Sequence, residues 1–288
     1  MNTKELGQTG VMLPELAFGT WQYNGTADTL RRTVETGGIF LDTAERYGNE
    51  PLVGTAIKGI RDRVFIATKV SAEHFRYNDV LKAADGSLRA LGTDHIDLYQ
   101  LHWPNDTVPV EETMSAMEHL VDAGKVRFIG VSRFPVSLLK KAKVALHKHK
   151  IVAHQLSYSL VDRDVEPDVL PYCQVNGITV LAFSPLGRSP QSVLNSDSRG
   201  ALDRISKATG KTKVQIALNW CLCKEQVIPI TTASSIAHVE ENWGAVGWRL
   251  SPEHVRLLNE SISFQRRGRM EQAARRLAQR VLRLLGRR

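Results

Sequence analysis

The feature that most constrains this chain is an alternation that runs almost from end to end. Short apolar stretches of strand length are separated by stretches in which apolar residues recur three or four apart. The short runs are Leu16 to Gly19, Ile39 to Asp42, Val64 to Lys69, Ile96 to His102, Phe128 to Ser132, Val152 to Leu156, Thr179 to Phe183 and Val227 to Ile230, eight in all. Between them the period changes to that of a helix, as in Val80 to Leu91, Val110 to Ala123, Val136 to Leu146 and Val214 to Cys223. Gly92, Gly124 and Gly177 stand just past helix ends, and Asp168 shortly precedes Pro171. Strands buried on both faces and each followed by a helix predict a parallel sheet closed on itself, an α/β fold of the (α/β)8 TIM-barrel type. A length of 288 residues suits one such barrel. The structural rival is an open doubly wound sheet, but no G-x-G-x-x-G follows a first strand.

Two segments lie outside the alternation. Met1 to Pro14, with Gly7 and Gly10 as turn residues, predicts a β-hairpin that plugs the barrel bottom. Ser184 to Gly200 is rich in Ser, Pro, Gly and Asn and too long for a mere connection, so it is a candidate functional loop.

Composition narrows the class further. With 42% hydrophobic and 24% charged residues, the chain is neither disordered nor fibrous. No window reaches the about 20 apolar residues of a membrane span, and the start lacks the pattern of a secretion signal. Three cysteines, Cys173, Cys221 and Cys223, have neither zinc-finger nor thioredoxin spacing and are expected to be reduced packing thiols. The expected location is cytoplasmic. Of 38 basic and 30 acidic residues, nine arginines and one glutamate fall in Phe264 to Arg288, which leaves 29 of each in the body. The expected organisation is a neutral barrel over residues 1–263 and a basic helical tail over 264–288. In that tail Met270, Ala273, Ala274, Leu277, Val281, Leu284 and Leu285 recur at helical spacing beside an arginine-rich face. Its first reading is a packing face, on the barrel or on a second subunit, and its second is weak docking to an anionic membrane surface. No aromatic residues interleave with the arginines, so no nucleic acid is expected. Oligomeric state is left open.

Barrel enzymes set their catalytic groups where strands end. Four polar residues stand there: Asp42, Tyr47 five residues on, Lys69 and His102. Buried lysine is rare unless paired, and Asp42 on the neighbouring strand is its partner. A phenol with pKa about 10 is a poor acid near neutrality, but a nearby ammonium lowers it and a carboxylate keeps that ammonium charged. Asp42, Lys69 and Tyr47 are therefore expected to form a tuned acid, and His102 to orient a carbonyl oxygen. That is acid catalysis on C=O with no metal. Trp21 and Trp103 follow the first and fourth strands and are candidate walls of a substrate pocket. The run His147-Lys148-His149-Lys150 reads as a solvated helix end.

At these residues the sequence resembles the aldo-keto reductases, from about Leu6 to Glu260. The matching stretches are Leu41 to Glu50, Ile66 to Lys69, Asp97 to Pro104, Gly130 to Ser132, Gln155, Ser184 to Gly187 and Glu240 to Asn242. The resemblance implies a barrel that binds a nicotinamide dinucleotide in extended form, NADP(H) with NAD(H) as the alternative, and reduces a small carbonyl substrate. By that likeness Asp42, Tyr47, Lys69 and His102 form the catalytic tetrad, with Tyr47 as proton donor. Ser132 and Gln155 hold the carboxamide, Phe183 stacks on the nicotinamide, and Ser184 and Leu186 line the pyrophosphate loop together with Gly187 and Arg188. Thr20, Asp42 and Arg133 complete the nicotinamide end, while Glu241 and Asn242 approach the adenine. The chain departs from the family pattern at Arg133, where Asn is usual, at Phe183, where Tyr is commoner, and at Thr232 and His238, where Lys and Arg usually grip the 2′-phosphate.

Two other functions compete with this one. The first is a cofactor-binding regulatory subunit of the same fold with little turnover. The second is a Schiff-base aldolase using Lys69, against which Asp42 argues by keeping the lysine charged.

Overall fold

Each of the eight apolar runs forms a strand of one closed parallel barrel in the computed structural model, which describes residues 2–264. A short antiparallel hairpin, β1 (Thr3–Glu5) and β2 (Met12–Pro14), comes first. The barrel follows with β3 (Ala17–Gly19), β4 (Phe40–Asp42), β5 (Phe65–Val70), β6 (Ile96–Leu101), β7 (Val126–Ser132), β8 (Ile151–Ser157) and β9 (Thr179–Phe183). After the short strand β10 (Pro185–Arg188), β11 (Val227–Thr231) closes the ring by pairing with both β9 and β3. The surrounding helices are α1 (Ala27–Glu35), α2 (Glu50–Ile57), α3 (Tyr77–Leu91), α4 (Val110–Asp122), α5 (Val136–Val144) and α6 (Val169–Val175), then α7 (Pro190–Asn195), α8 (Ala201–Thr209), α9 (Lys213–Leu222), α10 (Ile236–Trp243) and α11 (Pro252–Ser261). Every residue of β5 and of β6 is buried, because helices cover the outer face and side chains fill the inner one.

The barrel interior is divided into two halves. The lower half is apolar: Phe40, Phe65, Leu98, Leu181 and Ile228 pack there with Leu6 and Leu13 of the hairpin. Strand periodicity then places the next inward residues above them, so Asp42 follows Phe40, Lys69 follows Phe65 and Ala67, and Gln100 and His102 follow Leu98. The hairpin plugs the bottom as expected. Gly7 N–H donates to Thr179 Oγ1 at 2.7 Å, at the first residue of β9. Lys4 Nζ donates to the carbonyls of Leu222, Lys224 and Val227 at 2.9, 2.9 and 2.7 Å. It thereby ties the hairpin to the last residue of α9, to the connection after it and to the first residue of β11.

One expectation needs correction. The stretch Ser184 to Gly200 is not a structureless loop, since it holds β10 and α7, with Pro190 at the start of that helix. Cys173 and Cys221 are fully buried, and burial pushes both thiols up to about 12, which fits packing residues. The His147 to Lys150 run is tied to α4: Glu118 Oε1 accepts the N–H groups of His147, Lys148 and His149, and Asp122 pairs with Lys148 and His149. Among the described residues no helix is long and apolar enough to cross a membrane. The basic tail, apart from Phe264, lies outside the described residues.

Candidate active site

The four strand-exit residues meet at the top of the barrel. Lys69 near the end of β5 is fully buried, and its ammonium donates to Asp42 Oδ1 at 2.7 Å, to the Thr43 carbonyl at 2.6 Å and to the Tyr47 hydroxyl at 3.3 Å. All three of its N–H groups are thus accounted for. The other oxygen of Asp42 accepts from Gln155 Nε2 at 2.8 Å and from Gln100 Nε2 at 3.3 Å. Tyr47 reaches the site on a single 3-10 turn, Glu45–Tyr47, which ends at Gly48 with φ of 69°, a left-handed conformation suited to glycine. Asn49 then ties this turn to the neighbouring strand exits, because its Oδ1 accepts from Thr43 and Thr20 hydroxyls at 2.9 and 3.2 Å and its Nδ2 donates to the Thr20 carbonyl at 2.7 Å. His102 follows β6, and its ring lies 5.6 Å from that of Tyr47, edge to face.

The electrostatics agree with the expected roles in part. Burial is the largest influence on Lys69 and pulls its pKa down, but Asp42 and Tyr47 outweigh it and the ammonium is held above its ordinary value. For Tyr47 the expectation of a lowered pKa is corrected. Burial raises it and Asp42 adds to that, while Lys69 and Arg133 oppose them and do not prevail. Tyr47 is therefore held protonated. Burial, with Lys69, Arg133 and Arg46 nearby, drops His102 to about 2, so its ring is neutral.

Around this centre the pocket wall is aromatic. Trp21, 54% exposed, sits with its ring 4.9 Å from Tyr47, and the Trp103 ring is 4.3 Å from His102. Trp21 and Trp103 thus adjoin two of the four strand-exit residues. Arg46 lies over Trp103 at 5.2 Å. On the other side Ser132, the last residue of β7, pairs in register with Gln155. Arg133 adopts φ of 60°, bonds its N–H to the Gln155 carbonyl at 3.0 Å and places its guanidinium 4.8 Å over the Phe183 ring. Thr20 is buried beside Asp42, and its backbone N–H donates to the Asp42 carbonyl at 2.9 Å.

Other expected cofactor residues stand further round the rim. Ser184, with φ of 52°, Leu186, Gly187 and Arg188 lie on the segment leaving β9. Thr232 follows β11 and bonds to the Gly19 carbonyl at 2.9 Å, while His238, Glu241 and Asn242 belong to α10, whose N-cap is Ser235. Because β9 and β11 are hydrogen-bonded neighbours, these two groups share one side of the rim. Gln100 and Asn49 were not assigned roles from sequence. Alternation along β6 marks Gln100, two residues before His102, as inward-facing, but nothing local marks Asn49 as a brace between loops.

A buried lysine–aspartate pair bonded to a tyrosine stands at the mouth of a parallel barrel, and residues 15–263 match the model of the aldo/keto reductase family. The chain belongs to that family. It is 32% identical over 261 residues to the methylglyoxal reductase YeaE of Escherichia coli (strain K12), covering 87% of this chain and 92% of the relative. A thermostable aldo-keto reductase, Tm1743, solved in complex with the inhibitor epalrestat, superposes with a TM-score of 0.84 at 39% identity, over 90% of this chain and 99% of that one. An aldo/keto reductase from Klebsiella pneumoniae in complex with NADP and acetate gives a TM-score of 0.82 at 33% identity, covering 92% and 96% of the two chains. As an aldo-keto reductase, the protein is an oxidoreductase of carbonyl compounds.

Proposed function

We propose that the protein reduces aldehydes or ketones to alcohols with NADP(H), NAD(H) being the alternative, and that Tyr47 donates the proton. The observation that carries this is the chain of contacts Asp42, Lys69, Tyr47, at 2.7 and 3.3 Å, sealed at the barrel top. The residues present fit a nicotinamide dinucleotide. His102 Nδ1 and Gln100 Oε1 are buried with no hydrogen-bond partner among the described residues, so the tetrad retains polar capacity for a bound group. The rim adds Arg188, the left-handed turn at Ser184 and the N-terminus of α10, an arrangement suited to phosphate. Ser132, Gln155, Arg133 and Phe183 would hold the nicotinamide end, with Thr20 and Asp42 behind them. Ser184, Leu186, Gly187 and Arg188 would hold the pyrophosphate, and Thr232, His238, Glu241 and Asn242 the adenosine end. The bound cofactor supplies hydride to the carbonyl carbon.

The protein's own residues supply the rest. Tyr47 gives its hydroxyl proton to the carbonyl oxygen, and the Lys69 ammonium stabilises the phenolate left behind. Asp42 keeps Lys69 charged and faces it toward Tyr47. His102 is neutral, so it orients the oxygen by hydrogen bonding without competing as the proton source. The same charged, three-bonded Lys69 is no amine nucleophile, which disfavours a Schiff-base aldolase. We place the enzyme among the small-molecule reductases of the cytoplasm.

The test is a panel of small aldehydes and ketones, methylglyoxal included after the Escherichia coli relative, with NADPH or NADH oxidation as readout. Tyr47→Phe is expected to bind cofactor normally and to lose about 10²-fold or more in turnover. Near-normal kcat in folded Tyr47→Phe sinks the proton-donor assignment, and absence of turnover by the unmodified protein with every substrate favours the regulatory-subunit reading. Because Thr232 and His238 stand where a Lys and Arg pair is usual, the preference for NADPH is expected to be narrow.

A further inference from the structure

Two neighbouring residues of β8 grip two neighbouring residues of the turn that leaves β7. The Gln155 carbonyl accepts the Arg133 N–H at 3.0 Å, and the His154 ring accepts the Phe134 N–H through Nε2, also at 3.0 Å. Successive side chains of a strand point to opposite faces. Gln155 therefore reaches into the barrel, where it donates to Asp42, and His154 lies on the helix side of the wall. There it is fully buried. A neutral ring whose Nε2 accepts carries its proton on Nδ1, and that atom faces Cys173 Sγ on α6 at 3.6 Å. Burial lowers His154 to about 3, so the accepting lone pair persists at ordinary pH.

What these bonds hold is a backbone that does not hold itself. Arg133 has φ of 60°, a left-handed conformation that a side chain disfavours and that persists only where its surroundings over-determine it. Phe134, 2% exposed, is the anchor beyond it. With the turn fixed in this way Ser132 stays opposite Gln155, and the Arg133 guanidinium stays over Phe183.

We infer that His154 is a positioning residue for the nicotinamide end of the cofactor site: from outside the barrel wall it pins the Ser132-Arg133-Phe134 turn in the shape that receives the cofactor. The inference rests on the nicotinamide reading of Ser132, Arg133 and Gln155. His154→Leu removes the acceptor and keeps the bulk, whereas His154→Gln restores an acceptor oxygen on a flexible side chain. The Leu variant is expected to weaken NADPH binding about tenfold, the loss of one buried hydrogen bond, and to raise KM for NADPH while kcat at saturating cofactor changes by less than about threefold. The Gln variant should recover most of the affinity. In the unmodified protein, nitrogen NMR is expected to show the Nδ1–H tautomer unchanged from about pH 5 to 9. Wild-type NADPH affinity in folded His154→Leu overturns the inference, as does an Nε2–H tautomer, a result that stands even where the Leu variant does not fold. Failure of the unmodified protein to bind either NADPH or NADH overturns the cofactor reading itself, and the inference with it.

Discussion

At the residue scale the site depends on one buried ion pair whose members have no water to fall back on. Removing Lys69 leaves the Asp42 carboxyl 3% exposed without its ammonium partner, with Gln100 and Gln155 as its remaining side-chain donors among the described residues. Lys69→Met is therefore expected to cost about 3–5 kcal/mol of stability as well as turnover, and Asp42→Asn added to it should restore part of the stability. Denaturant midpoints of the single and double variants check this. Lys69 is raised in the fold, so its stabilising contribution is fully present below the ordinary value of 10.5 and is lost as pH climbs through its higher folded value. The reaction has its own pH signature. Tyr47 must be protonated to donate, its pKa is raised, and His102 does not titrate until about 2. The reductive kcat is thus expected to be flat from about pH 5 to 9 and to fall only as Tyr47 ionises. A kcat limb near neutrality in a pH profile would contradict that sign. Asp42, Lys69 and His102 were legible as polar residues at the C-terminal ends of apolar runs, and Tyr47 as a residue five positions beyond Asp42. The direction of the Tyr47 shift was not legible, because burial is a sum over neighbours distant in sequence.

At the element scale, strands were read to within about two residues, since a closed parallel sheet demands apolar residues on both faces of each one. The expected helix starts at Val110 and Val136 match α4 and α5, α9 starts one residue before Val214, and α3 is the exception. The third helix begins at Tyr77 rather than Val80, and its first N–H, that of Tyr77, donates to the Glu112 carboxylate of α4 at 3.0 Å. Such a partner is invisible to periodicity. Helix packing separates two glycines that look alike in sequence. A Cβ on Gly54 of α2 would lie 2.6 and 2.8 Å from the Leu91 and Ala90 carbonyl oxygens of α3, which are backbone atoms without room to retreat. A Cβ on Gly86 of α3 would meet only the end of the Arg89 side chain at 4.0 Å. Gly54→Ala is expected to destabilise by about 1–3 kcal/mol, and Gly86→Ala to stabilise by about 1 kcal/mol through helix propensity. Opposite shifts of the thermal midpoint confirm the pair, and a stabilised Gly54→Ala would refute the close crossing.

At the scale of the whole molecule, charge divides the chain after residue 263. Residues 1–263 hold 29 basic and 29 acidic residues, so the excess of +8 belongs to 264–288. The Phe264 ring lies 4.6 Å from the Arg163 guanidinium, and a truncation is therefore best placed after Phe264. That truncation is expected to leave NADPH binding and turnover intact, and to abolish any salt-sensitive association with anionic vesicles. If the full-length protein shows no such association at low salt, the packing reading of the tail is preferred. The sequence by itself determined the closed barrel, its hairpin plug and the polar residues at the strand exits, because continuous apolar runs of strand length and the polar residues that follow them are local patterns. Only the tertiary structure decided that Gln155 bonds Asp42, that Asn49 braces the Tyr47 turn, that Arg133 is twisted over Phe183 and that His154 holds that twist from behind. Those contacts join residues of different strands and loops, brought within 3–5 Å only when the sheet closes. A one-dimensional pattern carries no record of which side chains the closure makes neighbours.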